Sequence, residues 1–200
     1  HKPDFGSVTV NGIDVPSLYG EELEKYRAGL GVLFQSGALL NWMNVRENVA
    51  LPLREKQRMK QAEIYERVSA VLKVLELDDA EEKMPDDLSG GMIKRAGLAR
   101  AIITNPGIVL YDEPTSGLDP VMSRKIDSLI VSLRDKYHIT SIVVTHDLCS
   151  AFGIADRIAM IYDGKIVECG TPEKFEASSN EHVREFIAAQ YNIRERRKGI

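Results

Sequence analysis

The chain has 200 residues, 44% hydrophobic and 28% charged, with a net charge of −4 and a pI near 5.7. That length supports one sizeable core, or a core plus a small subdomain, and the acidic balance disfavours a broad nucleic-acid-binding face. No run approaches the ~18 apolar residues of a membrane-spanning helix, and the two cysteines, Cys149 and Cys169, make neither a zinc spacing nor a disulfide framework.

In chain order, Val8 to Val15 reads as a hairpin turning at Asn11-Gly12, a pair that accepts positive φ. Residues 17–28 suit a short helix whose Glu21, Glu22 and Glu24 form a solvated face. Leu30 to Phe34 reads as a strand delivering Gln35, an amide that can donate and accept at once. Leu39, Leu40, Trp42 and Met43 follow, either as a partner groove or as an internal core contact. From 36 to 88 the pattern is helical. A helix over 45–54 is expected to break at Pro52, and Ile64, Val68, Val71, Leu72 and Leu75 share one helical face.

Ser89 is a candidate N-cap for a helix over 92–104, and Gly90 and Gly91 let backbone N–H groups face an anion. A helix N-terminus, with roughly half a positive charge, suits a phosphate. Lys94, Arg95 and Arg100 are expected on a solvated or salt-bridged face. Ile108 to Tyr111 reads as a buried parallel strand ending in Asp112 and Glu113. Two carboxylates at such an edge suit phosphoryl transfer, one holding Mg²⁺ and the other orienting and deprotonating a water. Pro114 and Gly117 break the chain, and Pro120 can open the helix that runs to about Lys136. The β-branched strand 140–145 then delivers His146. Residues 158–162 and 165–168 read as a hairpin turning at Asp163-Gly164, and Arg194 to Lys198 as a solvated basic tail.

Five motifs in one order carry a family resemblance: Gln35 after its strand, Leu88-Ser89-Gly90-Gly91-Met92, the strand ending in Asp112-Glu113, Ser116-Gly117-Leu118-Asp119, and His146 after Thr145. They resemble the Q-loop, signature, Walker B, D-loop and switch histidine of ABC-type ATPases, over nearly the whole chain. Met92 stands where that signature usually has Gln, which affects a side-chain contact and leaves Ser89 and the glycine N–H groups in place. The stretches LFQSGALL, NVALPLRE and LSGGMIKRAGLARAI are similar to Mla-type lipid-transport ATPases.

The resemblance implies an α/β fold, a RecA-like P-loop NTPase core over 1–35 and 89–200 with an inserted α-helical subdomain over 36–88. It implies ATP and Mg²⁺ as cofactors. Asp112 and Gln35 would serve the metal, Glu113 would act as general base, and His146 and Gln35 would complete the catalytic set. Ser89, Gly90, Gly91 and Asp119 would act on nucleotide held by a second subunit. The implied function is ATP hydrolysis energising phospholipid transport between inner and outer membranes. Implied partners are a second copy of the ATPase (a homodimer), transmembrane permease subunits and lipid-binding proteins, with no nucleic acid. The implied place is cytoplasmic, peripheral on the inner membrane. The alternatives are a soluble ABC ATPase acting on DNA or ribosomes, and a non-catalytic dimerisation or regulatory subunit. The glycine-rich loop G-x-x-x-x-G-K-[ST] occurs nowhere, since the only Gly-Lys pair, Gly164-Lys165, is followed by Ile166. The fold is therefore expected to be N-terminally truncated, and these 200 residues alone are expected to bind Mg-ATP poorly and not to hydrolyse it.

Overall fold

A computed structural model describes residues 2–56 and 59–196. The opening hairpin pairs β1 (Thr9–Val10) with β2 (Ile13–Asp14). Asn11 and Gly12 take φ of 51° and 78°, the left-handed pair that a two-residue turn between twisted strands demands. The helix α1 (Gly20–Ala28) follows, then β3 (Leu30–Leu33).

The centre is a three-stranded parallel sheet in the order β3-β4-β5, with β4 spanning Ile108–Asp112 and β5 spanning Thr140–Val144. The register sets Leu33 beside Tyr111 and Asp112 beside Val144, so three strand ends meet at one edge. One face of the sheet is closed, with Leu33, Val109 and Tyr111 sealed from solvent. The other face carries Ile142 and Val144, which are 54% and 61% exposed. The expectation of a buried strand is thus met on one side only.

Two helices follow β3, α2 (Val45–Lys56) and α3 (Gln61–Val74). Contrary to expectation, α2 runs on through Pro52. Its neighbours decide this: Val49, Ala50 and Leu53 are fully buried, and that packing outweighs the missing N–H of one proline. Ile64, Val68 and Leu72 of α3, with Leu75 beyond it, are buried as their spacing predicts. They share one core with α2 and with α4 (Gly90–Ile102).

The helix α4 lies directly on β3. A Cβ built on Gly31 would sit 2.3 Å from the backbone oxygen of Ala101, so only glycine permits this approach. After β4 comes α5 (Pro120–Tyr137), which buries Ile126, Ile130 and Leu133 at helical spacing. After β5 comes α6 (Leu148–Ile154). A second hairpin joins β6 (Ile158–Tyr162) to β7 (Lys165–Gly170), again with positive φ at Asp163 and Gly164. The chain closes with α7 (Pro172–Glu176) and α8 (Glu181–Arg196). Leu148, Ile158, Phe175 and Val183 form a second, smaller core, joined by Phe186 and Ile187 of α8. The basic stretch Arg194 to Lys198, expected as a solvated tail, lies outside the described side chains.

Candidate functional site

The site grows from the ends of β4 and β5. The strand β4 ends at Asp112, and the chain turns sharply at Glu113, whose φ is 46°. A glutamate in the left-handed region is strained, and it persists where surroundings over-determine it. Here the Glu113 N–H donates to Val144 O at 2.9 Å, and Lys94 Nζ donates to Glu113 O at 2.8 Å. With its backbone held, the carboxylate faces the segment after β5. Its Oε1 accepts from the His146 N–H at 3.1 Å and lies 2.8 Å from His146 Nδ1, while Oε2 accepts from Thr145 Oγ1 at 3.4 Å. The His146 pKa is raised, first by the hydrogen bond to Glu113 and then by that residue's charge. The imidazole stays open to solvent on its other side, so it can reach a ligand while bound to Glu113.

Gln35 joins the same edge from β3. Its Nε2 donates to Ser116 Oγ at 3.3 Å, which leaves Oε1 as an available acceptor. Asp112 is exposed at the end of β4. No group of three or more His, Cys, Asp or Glu able to hold a metal occurs among the described residues. Mg²⁺ is a hard ion that keeps several waters and takes one or two protein oxygens plus substrate phosphates. Asp112 and Gln35 Oε1 are exposed oxygen donors that could serve such an ion.

Lys94 was expected on a solvated or salt-bridged face and is instead 4% exposed. Its ammonium donates to Gln35 O as well as to Glu113 O, tying the ends of β3 and β4 together. Burial pushes its pKa down, partly offset by the charges of Glu113 and Asp112. Arg95 is also buried and donates to Leu75 O and Glu76 O, with a looser ion pair to Glu76 at 3.8 Å. Arg100 donates to Ala38 O and Gly37 O. The three cations of α4 therefore staple loops by their backbone carbonyls. One signal for Lys94 was present in the sequence: it shares a helical face with Leu98, Ala101 and Ile102, all buried.

The turn at Ser89 is built separately. Ser89 caps α4, accepting from the Met92 N–H at 3.4 Å, and Asp119 caps α5 through the N–H groups of Val121 and Met122. The two turns pack on one another. A Cβ on Gly90 would meet Leu118, and one on Gly91 would meet Met122 at 2.8 Å. Gln35, Glu113 and His146 thus gather at one edge with Lys94, while Ser89, Gly90, Gly91 and Asp119 lie in the turns that open α4 and α5. Sequence reasoning also missed a buried knot behind the site. There Ser150 Oγ donates to both oxygens of Asp127 at 2.7 and 2.9 Å and lies 3.4 Å from Thr115 Oγ1. Burial raises the pKa of Asp127.

Comparison with known proteins agrees with this architecture. Residues 1–116 match the ABC transporter family model, and the chain belongs to that family. It is 39% identical over 186 residues to the probable ribonucleotide transport ATP-binding protein mkl of Mycobacterium leprae, covering 93% of this chain and 54% of that one. It is 37% identical over 185 residues to the intermembrane phospholipid transport system ATP-binding protein MlaF of Escherichia coli, covering 92% of this chain and 69% of that one. The chain thus spans only about half the length of the mkl relative. Among solved structures, the dimeric ATP-binding cassette MJ0796 bound to ADP and Pi superposes with a TM-score of 0.77 at 35% identity, covering 86% of this chain and 75% of that one. The expected mixed α/β P-loop NTPase fold is therefore correct.

Proposed function

We propose that this chain is part of the ATP-hydrolysing subunit of an ABC transporter that energises phospholipid movement between two membranes. The observation that carries the hydrolytic reading is the pairing of Glu113 with His146 at the edge where Gln35 and Asp112 also arrive. In this reading Glu113 takes a proton from the attacking water, and its turn, fixed by Val144 and Lys94, sets the direction of the carboxylate. His146 accepts or donates toward the γ-phosphate from its open side. Gln35 and Asp112 would hold Mg²⁺, which would supply positive charge against the phosphates. Ser89, Gly90, Gly91 and Asp119 face the nucleotide of a second subunit.

The exposed Trp42 supports a membrane partner. It is 74% exposed, yet its loop is rigidly held. Asn48, fully buried, accepts from the Leu40 N–H and donates to Leu40 O, Met43 O and Asn44 O. An indole displayed on a pinned loop suits a permease contact rather than an internal core. Among the described residues no helix is long and apolar enough to cross a membrane. The proposed role is peripheral, through permease subunits and lipid-binding partners. Phospholipid as cargo is supported by the MlaF relative and by the Mla-like stretches around Gln35 and Ser89. Ribonucleotide transport is the second reading, favoured by the name of the mkl relative.

The test is Glu113→Gln in the intact ATPase complex. ATP binding is retained and turnover falls by about 10² to 10⁴, the usual contribution of a general base. Unchanged steady-state turnover would refute the assignment, and analysis of lipid or nucleotide held in the arrested complex separates the two cargoes.

A further inference from the structure

The segment after β5 is held by two side chains, of which only Glu113 has been given a role so far. From the sheet side, Glu113 Oε1 binds both the N–H and the ring of His146. The second hold is Gln190 of α8. Its Nε2 donates to His146 O, and its Oε1 accepts from the Leu148 N–H at 3.1 Å. One side-chain amide thus spans Asp147 and pairs with the backbone on both sides of it, as a neighbouring strand would.

The placement of Gln190 follows from the packing of α8. Val183, Phe186 and Ile187 anchor that helix in the second core, against Leu148 and Phe175. Gln190 lies three, four and seven residues further on, so it continues the buried face by one turn. At that point the face meets a backbone with unmet needs. Leu148 is the first residue of α6, and its N–H is one of the donors that a helix start leaves without an internal partner. Asp147 caps the next N–H, that of Cys149, at 2.8 Å and cannot serve both well. Asp147 is also drawn sideways by Arg124, 3.9 Å away. Gln190 also lines the cavity that contains Glu113, Ser116 and His146.

We propose that Gln190 is a positioning residue, which locks segment 146–148 so that His146 stays against Glu113 and which makes the hydrolytic pair sensitive to the seating of α8. This rests on the reading of Glu113 and His146 as that pair. A shift of α8 of about one hydrogen-bond length releases His146 O and the Leu148 N–H together. The segment then loses its second hold, and Glu113 alone fixes the imidazole. A partner that presses on α8, or pulls it, would thereby reach the chemistry without touching the nucleotide.

Hydrogen exchange at single amides of the full chain, read by NMR, separates this role from simple helix capping. Gln190→Ala is expected to speed exchange at Leu148 roughly tenfold, the size of one lost hydrogen bond. It is also expected to speed exchange at His146, whose N–H bonds Glu113 and not Gln190. Gln190→Glu keeps the acceptor for Leu148 but loses the donor to His146 O, so Leu148 stays protected while His146 exchanges faster. A second variant, Phe186→Leu, loosens α8 without touching the amide and is expected to speed exchange at both Leu148 and His146. Faster exchange at Leu148 with His146 unchanged in Gln190→Ala would reduce Gln190 to a cap and overturn the proposal. So would unchanged exchange at both Leu148 and His146 in Phe186→Leu, because a loosened α8 must release both contacts of Gln190. In the intact ATPase, Gln190→Ala lowers kcat about tenfold with KM for ATP unchanged. Normal turnover of Glu113→Gln would remove the hydrolytic role of Glu113 and leave the exchange result standing. Unchanged His146 exchange would defeat the Gln190 inference whatever the turnover.

Discussion

Replacing Lys94 with Met tests the architecture of the site most directly. The substitution keeps a long unbranched stem and removes the ammonium. Two charge-assisted hydrogen bonds are lost, to Gln35 O and to Glu113 O, each worth about 1.5–3 kcal/mol when the donor is charged. Against that, an ammonium at 4% exposure carries a desolvation cost of several kcal/mol, which Met does not. Gross gain and gross cost nearly cancel, and what remains is two carbonyls without their donor. Gln35 is exposed, so its carbonyl regains water, and the net loss should be about 1–3 kcal/mol. At about 2–4 °C per kcal/mol for a chain of this size, the melting temperature should fall by only a few degrees. Activity should suffer more than stability. Lys94 joins strand ends whose side chains must converge on one phosphate, and displacement of reacting groups by ~1 Å costs about 10²-fold in rate. Urea unfolding and single-turnover hydrolysis in the intact ATPase measure the two effects. Wild-type kcat in Lys94→Met, or a stability loss so large that the chain no longer folds, would refute the reasoning.

Two further outcomes follow from particular contacts. Gly31→Ala should destabilise by about 1–3 kcal/mol or more, because the new Cβ meets the Ala101 backbone oxygen at 2.3 Å, and backbone on both sides cannot move aside cheaply; denaturant midpoints check this. Trp42→Ala should leave the melting temperature within a degree or two, since the indole is exposed, while weakening co-purification with the membrane subunits by roughly 2 kcal/mol or more of binding energy. A large drop in melting temperature with normal complex formation would reverse that assignment.

What the amino-acid sequence determines by itself is whatever depends on near neighbours along the chain. The turns at Asn11-Gly12 and Asp163-Gly164 were legible because these residues tolerate positive φ. The cap at Ser89 was legible from residue type and spacing, as was the start of α5, where Asp119 accepts two N–H groups ahead of Pro120. The strands ending at Gln35, Asp112-Glu113 and His146 were legible from apolar runs that stop at a polar residue. The left-handed turn at Glu113, which aims the carboxylate at His146, was not, since glutamate has no local preference for it. Nor was the continuity of α2 through Pro52, where buried neighbours outweigh a local preference to break. Lys94, Arg95 and Arg100 were expected on a solvated or salt-bridged face, because on its own a charged residue belongs in water. Their fate depends on carbonyls that other segments bring within reach: Lys94 meets residues 59 and 19 positions away, and Gln190 meets a backbone 44 positions away. Helical spacing records which face of a helix is buried, as it does for Lys94 and Gln190. What that face meets is decided only when the sheet edge and the helices close on one another, because an unsatisfied carbonyl or N–H exists as a partner only in the folded arrangement.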